Sequence, residues 1–238
     1  AAEGNGQRKE RFHITGQTGT LRASVFGISD GLVSNLSLVM GVVGAAANNH
    51  FIVLAGLAGL LAGAFSMAAG EWISMKSQRE LFERQIQRER EELRLMPEQE
   101  ERELADIYRR KGIPDADARR LAHHLMEDPE MALDTKIREE LGLDPRELGS
   151  PIGAGAWSFV AFVIGAFIPL LPFLIGSGGP AFWGSLGLST LALFAVGAVV
   201  SMLTGRSAGR SGLRQVAIGL TAAAITYGVG TVIGVAAS

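Results

Sequence analysis

The sequence predicts an all-α membrane protein in which five membrane-spanning helices carry a charged helical domain inserted between the second and the third. Five apolar runs of 22 to 25 residues contain no Lys or Arg, and about 20 apolar residues are enough to cross the hydrocarbon core of a bilayer. The charge is concentrated between the second and third runs. Residues 78–150, together with Lys76, hold 15 of the 22 basic and 20 of the 24 acidic residues. We call residues 78–150 the charged module.

The composition narrows the range of partners and chemistry. The chain has 238 residues, of which 47% are hydrophobic, and a formal net charge of −2. It contains no cysteine, which excludes a disulfide framework, a thiolate metal site and a cysteine nucleophile. No basic patch stands apart from the mixed charges of the module. We therefore expect the lipid bilayer as a partner and no nucleic acid.

The first part of the chain predicts a leader and two spans. Residues 1–22 form a basic leader with four Lys and Arg residues. The first two spans lie within residues 23–77, over residues 23–47 and 51–75, and are joined by a tight turn at residues 48–50. No stop signal follows the second span, so its helix should continue through Lys76 into the charged module.

Inside the module, proline and glycine divide the predicted helices. Pro97 interrupts the long helix because proline lacks a backbone donor and clashes with the preceding turn. It is also a favourable first residue for the next helix, which should run to Lys111 and stop at Gly112. Two shorter helices should follow, one starting near Pro114 and the other capped by Asp128.

The last segment, residues 151–238, predicts three more spans. Pro169 and Pro172 should kink the far end of the third span. The spans are predicted over residues 152–175, 182–203 and 215–237.

The distribution of basic residues predicts the orientation. The leader has four Lys and Arg residues, the module with its borders has 15, and the loop at residues 205–214 has three. The loops on the opposite side and the C-terminal tail have none. Because Lys and Arg are enriched in cytoplasmic loops, we expect the N-terminus and the module in the cytosol and the C-terminus outside.

Two carboxylates within the spans are candidates for an ion pathway. A charged side chain at bilayer depth costs several kcal/mol and normally faces a cavity or a partner, which favours a functional role for Asp30. Hydroxyl groups such as Ser34 could instead cap it. Glu71 lies near the end of its span and could reach the interface. Met67, one turn before Glu71, offers a soft thioether ligand, although a lone Met is more often core packing.

The module contains two Glu-x-x-Glu pairs. Glu89 and Glu92 precede Pro97, and Glu100 and Glu103 follow it. If the two helices fold back on each other, the four carboxylates converge into an oxygen-rich site for a divalent ion. Arginines alternate with these glutamates, however, and such a pattern is usually a solvated face. Spacing alone favours the solvated face.

Several motifs resemble the vacuolar iron transporter family. They are Phe26-Gly-Ile-Ser-Asp-Gly-Leu-Val-Ser34, Leu60-Leu-Ala-Gly-Ala-Phe-Ser-Met-Ala-Ala-Gly-Glu-Trp-Ile-Ser74, Ile107-Tyr-Arg-Arg-Lys-Gly112 and Arg138-Glu-Glu-Leu-Gly-Leu143. The resemblance implies a five-span homodimer that moves ferrous iron, and often manganese, out of the cytosol in exchange for protons. It also implies a cytosolic helical domain that binds the metal through glutamates.

The resemblance assigns roles to individual residues. The metal ligands of the module would be Glu89, Glu92, Glu100, Glu103 and Glu140, and the pathway residues would be Asp30 and Met67. The chain departs from the plant pattern at Ala23 and Gly59, where carboxylates would stand, and at Lys136-Ile137, where a methionine pair would stand. Glu71 is a candidate replacement carboxylate. The short loops resemble prokaryotic members, which implies the plasma membrane.

The sequence thus predicts a transporter of divalent ions, Fe²⁺ or Mn²⁺, with no organic cofactor and no enzymatic activity. One alternative is a carboxylate ferroxidase, but this usually needs a Glu-x-x-His motif, and the module has none. A second alternative is a metal sensor whose membrane part serves only as an anchor. An intramembrane carboxylate such as Asp30 has no use in an anchor.

Overall fold

A computed structural model describes residues 15–144 and 149–237, with side chains described outside residues 15–22, 202–204 and 237. Within these ranges the chain forms eight α-helices and no strand. Five of the helices are long and apolar enough to cross a membrane, so the predicted all-α fold with five spans is confirmed. These five are α1 (Thr15–Gly44), α2 (Asn49–Leu95), α6 (Pro151–Ile175), α7 (Gly178–Thr204) and α8 (Ala208–Ala237).

The connection between the first two spans is as tight as the sequence predicts. Asn48 caps α2, and its side-chain oxygen accepts a hydrogen bond from the backbone N–H of Phe51 at 3.1 Å. The chain reverses through Ala46, which has a φ of 56°, a left-handed value that is uncommon for a residue other than glycine.

Helix α2 continues from the membrane into the charged module without a break. It has 47 residues, which at 1.5 Å per residue gives a length of about 70 Å. Ion pairs between residues four apart, such as Arg79 with Glu83 at 2.8 Å, line its polar part. It ends at Leu95, and Pro97 is the first residue of the next helix. The predicted long helix and its interruption at Pro97 are both confirmed.

Three shorter helices complete the charged module. They are α3 (Pro97–Arg110), α4 (Asp115–Met126) and α5 (Pro129–Glu139). Leu104, Ala105 and Ala122 form a small buried core between α3 and α4. Asp128 caps α5 by accepting hydrogen bonds from the N–H groups of Glu130 and Met131, as the sequence predicts.

Helix α1 is the centre of the membrane-spanning bundle and packs against α2, α6, α7 and α8. Its residues Leu32 and Leu36 are fully buried and belong to the same apolar cluster as Leu170 and Phe173 of α6. Glycine allows the helices to approach closely, as expected of membrane helices. A Cβ added at Gly230 would overlap the backbone carbonyl of the facing α1 residue.

The third span continues through its two prolines to Ile175. Polar side chains from neighbouring helices donate to backbone carbonyls in this part of α6. Ser185 Oγ donates to the carbonyl of Pro169 at 2.6 Å, and Asn49 Nδ2 donates to that of Phe173 at 3.0 Å. The predicted kink stays a prediction.

Some boundaries differ from the predicted spans. Helix α8 begins at Ala208 and α7 at Gly178, both before the apolar runs that predict them, because a membrane helix can extend past its apolar part into the polar interface. The last residues of the predicted leader, from Thr15, belong to α1. Residues 1–14 of the leader and residues 145–148 of the linker lie outside the described residues.

Candidate metal sites

A cavity of about 280 Å³ lies between α1, α2 and α6 within the spans. Asp30 reaches it from α1 and Met67 reaches it from α2, so the structure brings these two predicted pathway residues together. We call this space the Asp30 cavity. The other residues that line it are Ser34, Asn35, Leu38, Gly59, Gly63, Ser66 and Phe162.

The Asp30 carboxylate has no counter-charge in this cavity. Ser34 Oγ donates to the backbone carbonyl of Asp30 at 2.6 Å, so it does not cap the carboxylate as one interpretation of the sequence suggested. Among the described side chains, none makes a hydrogen bond or an ion pair with the Asp30 carboxylate. A carboxylate in such a setting is a candidate ligand for a cation.

Asn35 adds a second oxygen to the Asp30 cavity. The residue is 2% exposed, and its Nδ2 donates to the carbonyl of Ala166 at 2.5 Å. This hydrogen bond fixes the amide, and Oδ1 is buried without a hydrogen-bond partner. A Cβ added at Gly59 would lie 3.2 Å from Oδ1, so the oxygen faces the α2 side of the cavity. Asp30, Asn35 and Met67 therefore offer two oxygen donors and one thioether.

Glu71 does not belong to this group. It lies one turn beyond Met67 on α2 and is half-buried, but it is not among the residues that line the Asp30 cavity. The geometry gives it no part in a site shared with Asp30.

A second group of carboxylates lies in the charged module, where α2, α3 and α5 meet. Glu89 and Glu100 are each 3% exposed, which is rare for glutamate. Oxygens of Glu89, Glu100 and Glu140 lie within 4.8 Å of one another. The fold at Pro97 thus brings α2 and α3 together, and the predicted convergence of carboxylates is present in the structure.

Lys136 of α5 occupies the centre of this group. Its side chain is fully buried, and its Nζ lies 2.7 Å from Glu100, 3.4 Å from Glu89 and 3.5 Å from Glu103. It also forms an ion pair with Glu140. These contacts have ion-pair distances without the angles of well-aligned hydrogen bonds. We call Lys136 and these four glutamates the carboxylate cluster.

Burial and charge act in opposite directions on the pKa values of the carboxylate cluster. Burial raises the pKa of Glu89, and the nearby Lys136 ammonium offsets part of this rise. Burial alone would lower the pKa of Lys136, but Glu100, Glu140 and Glu89 raise it above its ordinary value. Lys136 is therefore a cation at neutral pH.

In the sequence, Lys136 stands out only as a departure from the family pattern, and its central position in the cluster was not predicted. A signal was present in α5. Ala132, Leu133, Lys136 and Ile137 are all buried, and they follow the spacing of three and four residues of one helical face. A lysine on the apolar face of a short helix, four residues before Glu140, indicates a buried ion pair.

Glu92, the remaining predicted ligand, lies outside the cluster. It pairs with Arg88 at 3.0 Å and lines a cavity of about 430 Å³ that also borders Glu89, Glu100, Glu103 and Glu140. The predicted ligands thus surround one space, with four of them in contact with Lys136.

The histidines of the module point elsewhere. His123 contacts Glu101 at 3.2 Å and His124 contacts Glu127 at 3.0 Å. Neither belongs to the carboxylate cluster, so the cluster lacks the histidine ligands that a carboxylate di-iron centre usually has.

Comparisons with known proteins identify the family of the chain. The sequence profile of the VIT family matches residues 21–231. The chain is 30% identical over 230 residues to vacuolar iron transporter 1 of Oryza sativa subsp. japonica, covering 96% of this chain and 90% of that protein. It is 33% identical over 208 residues to vacuolar iron transporter 1 of Arabidopsis thaliana, covering 87% and 83%.

A third relative is similar over a comparable length. The vacuolar iron transporter of Acanthamoeba castellanii is 36% identical over 219 residues, covering 90% of this chain and 79% of that protein. These relatives are named as transporters, in agreement with the expectation that the chain is not an enzyme. Because the family profile covers most of the chain and the relatives match over nearly its whole length, the chain belongs to the VIT family.

Proposed function

We propose that the protein transports Fe²⁺, and also Mn²⁺, through the Asp30 cavity. The observation that carries this proposal is the position of Asp30 and Met67 on two different helices around one cavity within the spans. An ion entering a low-dielectric region loses its water, and only fixed charge or ligand atoms can offset that loss. The relatives named as iron transporters support iron as the substrate.

The ligand atoms suit late first-row divalent ions. Carboxylate and amide oxygens bind hard and borderline ions, and a thioether favours softer ones. Asp30 and Asn35 provide the oxygens, and Met67 provides the thioether. This combination supports Fe²⁺ over Ca²⁺ or Mg²⁺, which bind almost entirely through oxygen.

The distribution of charge supports export from the cytosol. The basic leader and module would face the cytosol, which places the carboxylate cluster on the side from which the ion would leave. Asp30 can exchange a bound ion for a proton, which supports proton antiport as the coupling. The short loops support the plasma membrane as the location.

A homodimer would complete the ion pathway. Asp30 is exposed on the surface of a single chain, and a carboxylate facing hydrocarbon is costly. The apolar part of α2 is also largely uncovered, with Leu57, Leu61 and Phe65 exposed. A second copy packed against α1 and α2 would shield Asp30 and place two such cavities near a shared axis.

The dimer can be tested with single cysteines because the chain has none of its own. Leu61→Cys on α2 should form a disulfide-linked dimer in membranes, whereas Leu191→Cys on α7, which is more exposed at 71% against 51% for Leu61, should not. Crosslinking through position 191 alone, or a stable active monomer by light scattering, would contradict the arrangement.

Transport itself is tested by metal flux into sealed vesicles containing the purified protein. Fe²⁺ or Mn²⁺ should accumulate when a proton gradient is imposed, and Mg²⁺ should not. Binding of metal without any flux would favour a sensor and would overturn the proposal.

A further inference from the structure

We propose that Lys136 is a tethered cation that occupies the carboxylate cluster, and that a divalent ion binds there only by displacing its ammonium group. This rests on the proposed function in one respect, since the displacing ion is taken to be the divalent ion that the protein transports. The observation behind it is that a fully buried lysine contacts four of the five glutamates predicted to bind metal.

Geometry makes the two occupants mutually exclusive. The oxygens of Glu89, Glu100 and Glu140 lie within 4.8 Å of one another, and Lys136 Nζ already lies among them at 2.7 Å from Glu100. A divalent ion bound to these oxygens at about 2.0–2.6 Å would occupy nearly the same position as the ammonium. Two cations cannot share it.

Charge nevertheless favours a divalent ion over the ammonium. One ammonium faces four carboxylates, so the cluster keeps excess negative charge while Lys136 is present. Glu89 Oε1 is buried without a hydrogen-bond partner, so the ammonium leaves part of the cluster's bonding capacity unused. A divalent ion brings twice the charge and can bind several oxygens at once.

The surroundings provide room for the displaced group. The cavity of about 430 Å³ begins at the cluster and extends to Glu92 on the far side. Lysine has a flexible four-carbon stem, so its ammonium can leave the centre while the helix stays in place. In that cavity it would meet Glu92, whose present partner is Arg88.

The need to displace the Lys136 ammonium determines the metal concentration at which the carboxylate cluster binds a divalent ion. A competing cation attached to the same helix cannot diffuse away, so it lowers the apparent affinity for metal by a constant factor at every metal concentration. It also holds α2, α3 and α5 together when no metal is present. The cluster would therefore respond to a high metal concentration and stay folded at a low one.

The first experiment measures Mn²⁺ binding by the purified full-length protein, in an Asp30→Asn background that removes the charge of the other site. Lys136→Leu removes the charge and keeps an apolar side chain on the buried face of α5, without adding a thioether that could itself bind metal. It should tighten Mn²⁺ binding by about tenfold or more. The matched control is Lys111→Leu, which removes an ion pair with Glu139 on the surface of the same module and should leave the affinity unchanged.

An unchanged affinity in Lys136→Leu would overturn the proposal, because it would mean that the ammonium and the metal do not compete. The proposal would also be overturned if Mn²⁺ bound at the cluster neither in the Asp30→Asn protein nor in the same protein with the Lys136 substitution. Binding at the cluster is identified by its loss in Glu100→Gln.

The second experiment uses the unmodified chain and does not depend on how a variant folds. Lys76 and Lys111 are about half exposed, whereas Lys136 is fully buried. An amine-acylating reagent followed by peptide mass spectrometry should label Lys76 and Lys111 at all times. Lys136 should be labelled several times faster when Mn²⁺ is added, and KCl at the same ionic strength serves as the control. Unchanged protection of Lys136 at saturating Mn²⁺ would overturn the proposal.

These readouts separate the inference from the proposed function. Binding and labelling that respond as expected, without metal flux in vesicles, would contradict transport and leave the role of Lys136 intact. Flux with no response in either experiment would leave transport intact and refute the tethered cation.

Discussion

The two acidic regions of this protein treat negative charge in opposite ways. In the Asp30 cavity a single carboxylate has no counter-charge among the described side chains, and a neighbouring amide oxygen is also left without a partner. In the carboxylate cluster four carboxylates surround an ammonium of the same chain. An acidic site can therefore either need a bound metal cation, as we propose for the Asp30 cavity, or contain a cation of the same chain, as the carboxylate cluster does. We expect mutations in the Asp30 cavity to reduce metal flux far more than mutations in the carboxylate cluster.

The largest effect is expected at Asp30. Asp30→Asn keeps the size and one oxygen but removes the charge that, in the proposed transport, attracts the ion and exchanges for a proton. Metal flux into vesicles should be almost completely lost, while folding and Mn²⁺ binding at the carboxylate cluster stay intact. Asp30→Glu should keep part of the activity because the charge remains.

Glu71→Gln is the matched control for Asp30→Asn. It removes a carboxylate from the next span, outside the Asp30 cavity, and should leave most of the flux in place. Wild-type flux in Asp30→Asn, or equal losses in both variants, would show that the ion does not pass Asp30.

The second largest effect is expected when four module glutamates, Glu89, Glu92, Glu100 and Glu103, are all changed to Gln. Mn²⁺ binding at the module should disappear, and flux at low metal concentration should fall severalfold without being lost, because the Asp30 cavity is untouched. Single changes should give partial losses, since water and the remaining oxygens can complete a flexible shell. If the quadruple variant loses all flux while circular dichroism shows an intact fold, the module glutamates are essential for transport, contrary to this expectation.

A smaller effect is expected at Met67. Met67→Leu preserves the apolar volume and removes the thioether, so flux should fall by about threefold to tenfold for Fe²⁺ and less for Mn²⁺, the harder ion. Competition between the two ions in one vesicle preparation measures this ratio directly. An equal reduction for both ions would assign Met67 to packing, as part of the apolar group with Phe162 and Ala166.

The smallest effect is expected at Arg88, at the edge of the charged module. Arg88→Ala removes an ion pair with Glu92 in which the arginine is 79% exposed, and such surface pairs contribute about 0–1 kcal/mol. The thermal midpoint of the module should change by only a few degrees. A large loss of stability would mean that Glu92 belongs to the carboxylate cluster and does not lie outside it.

The sequence predicts the membrane bundle better than the site in the module. Apolar length determines a span almost by itself, and proline and capping residues such as Pro97 and Asp128 determine the ends of the module helices. The approach of Asp30 and Met67 was expected only from a family resemblance, because no local pattern relates positions on two helices. The apolar face of α5 indicates that Lys136 is buried, but its contacts with α2 and α3 cannot be predicted, because spacing along one helix does not show which helices meet.

The continuous helix α2 has a consequence for how the two regions work together. Met67 and Glu89 are 22 residues apart on it, which is about 33 Å along a straight helix. This distance is far too long for an ion to pass directly from one set of ligands to the other. An ion released by the module must therefore diffuse through water to reach the Asp30 cavity. The continuous helix sets the length of that path, and shortening it by whole turns should bring the two sites closer without altering the ligands of either.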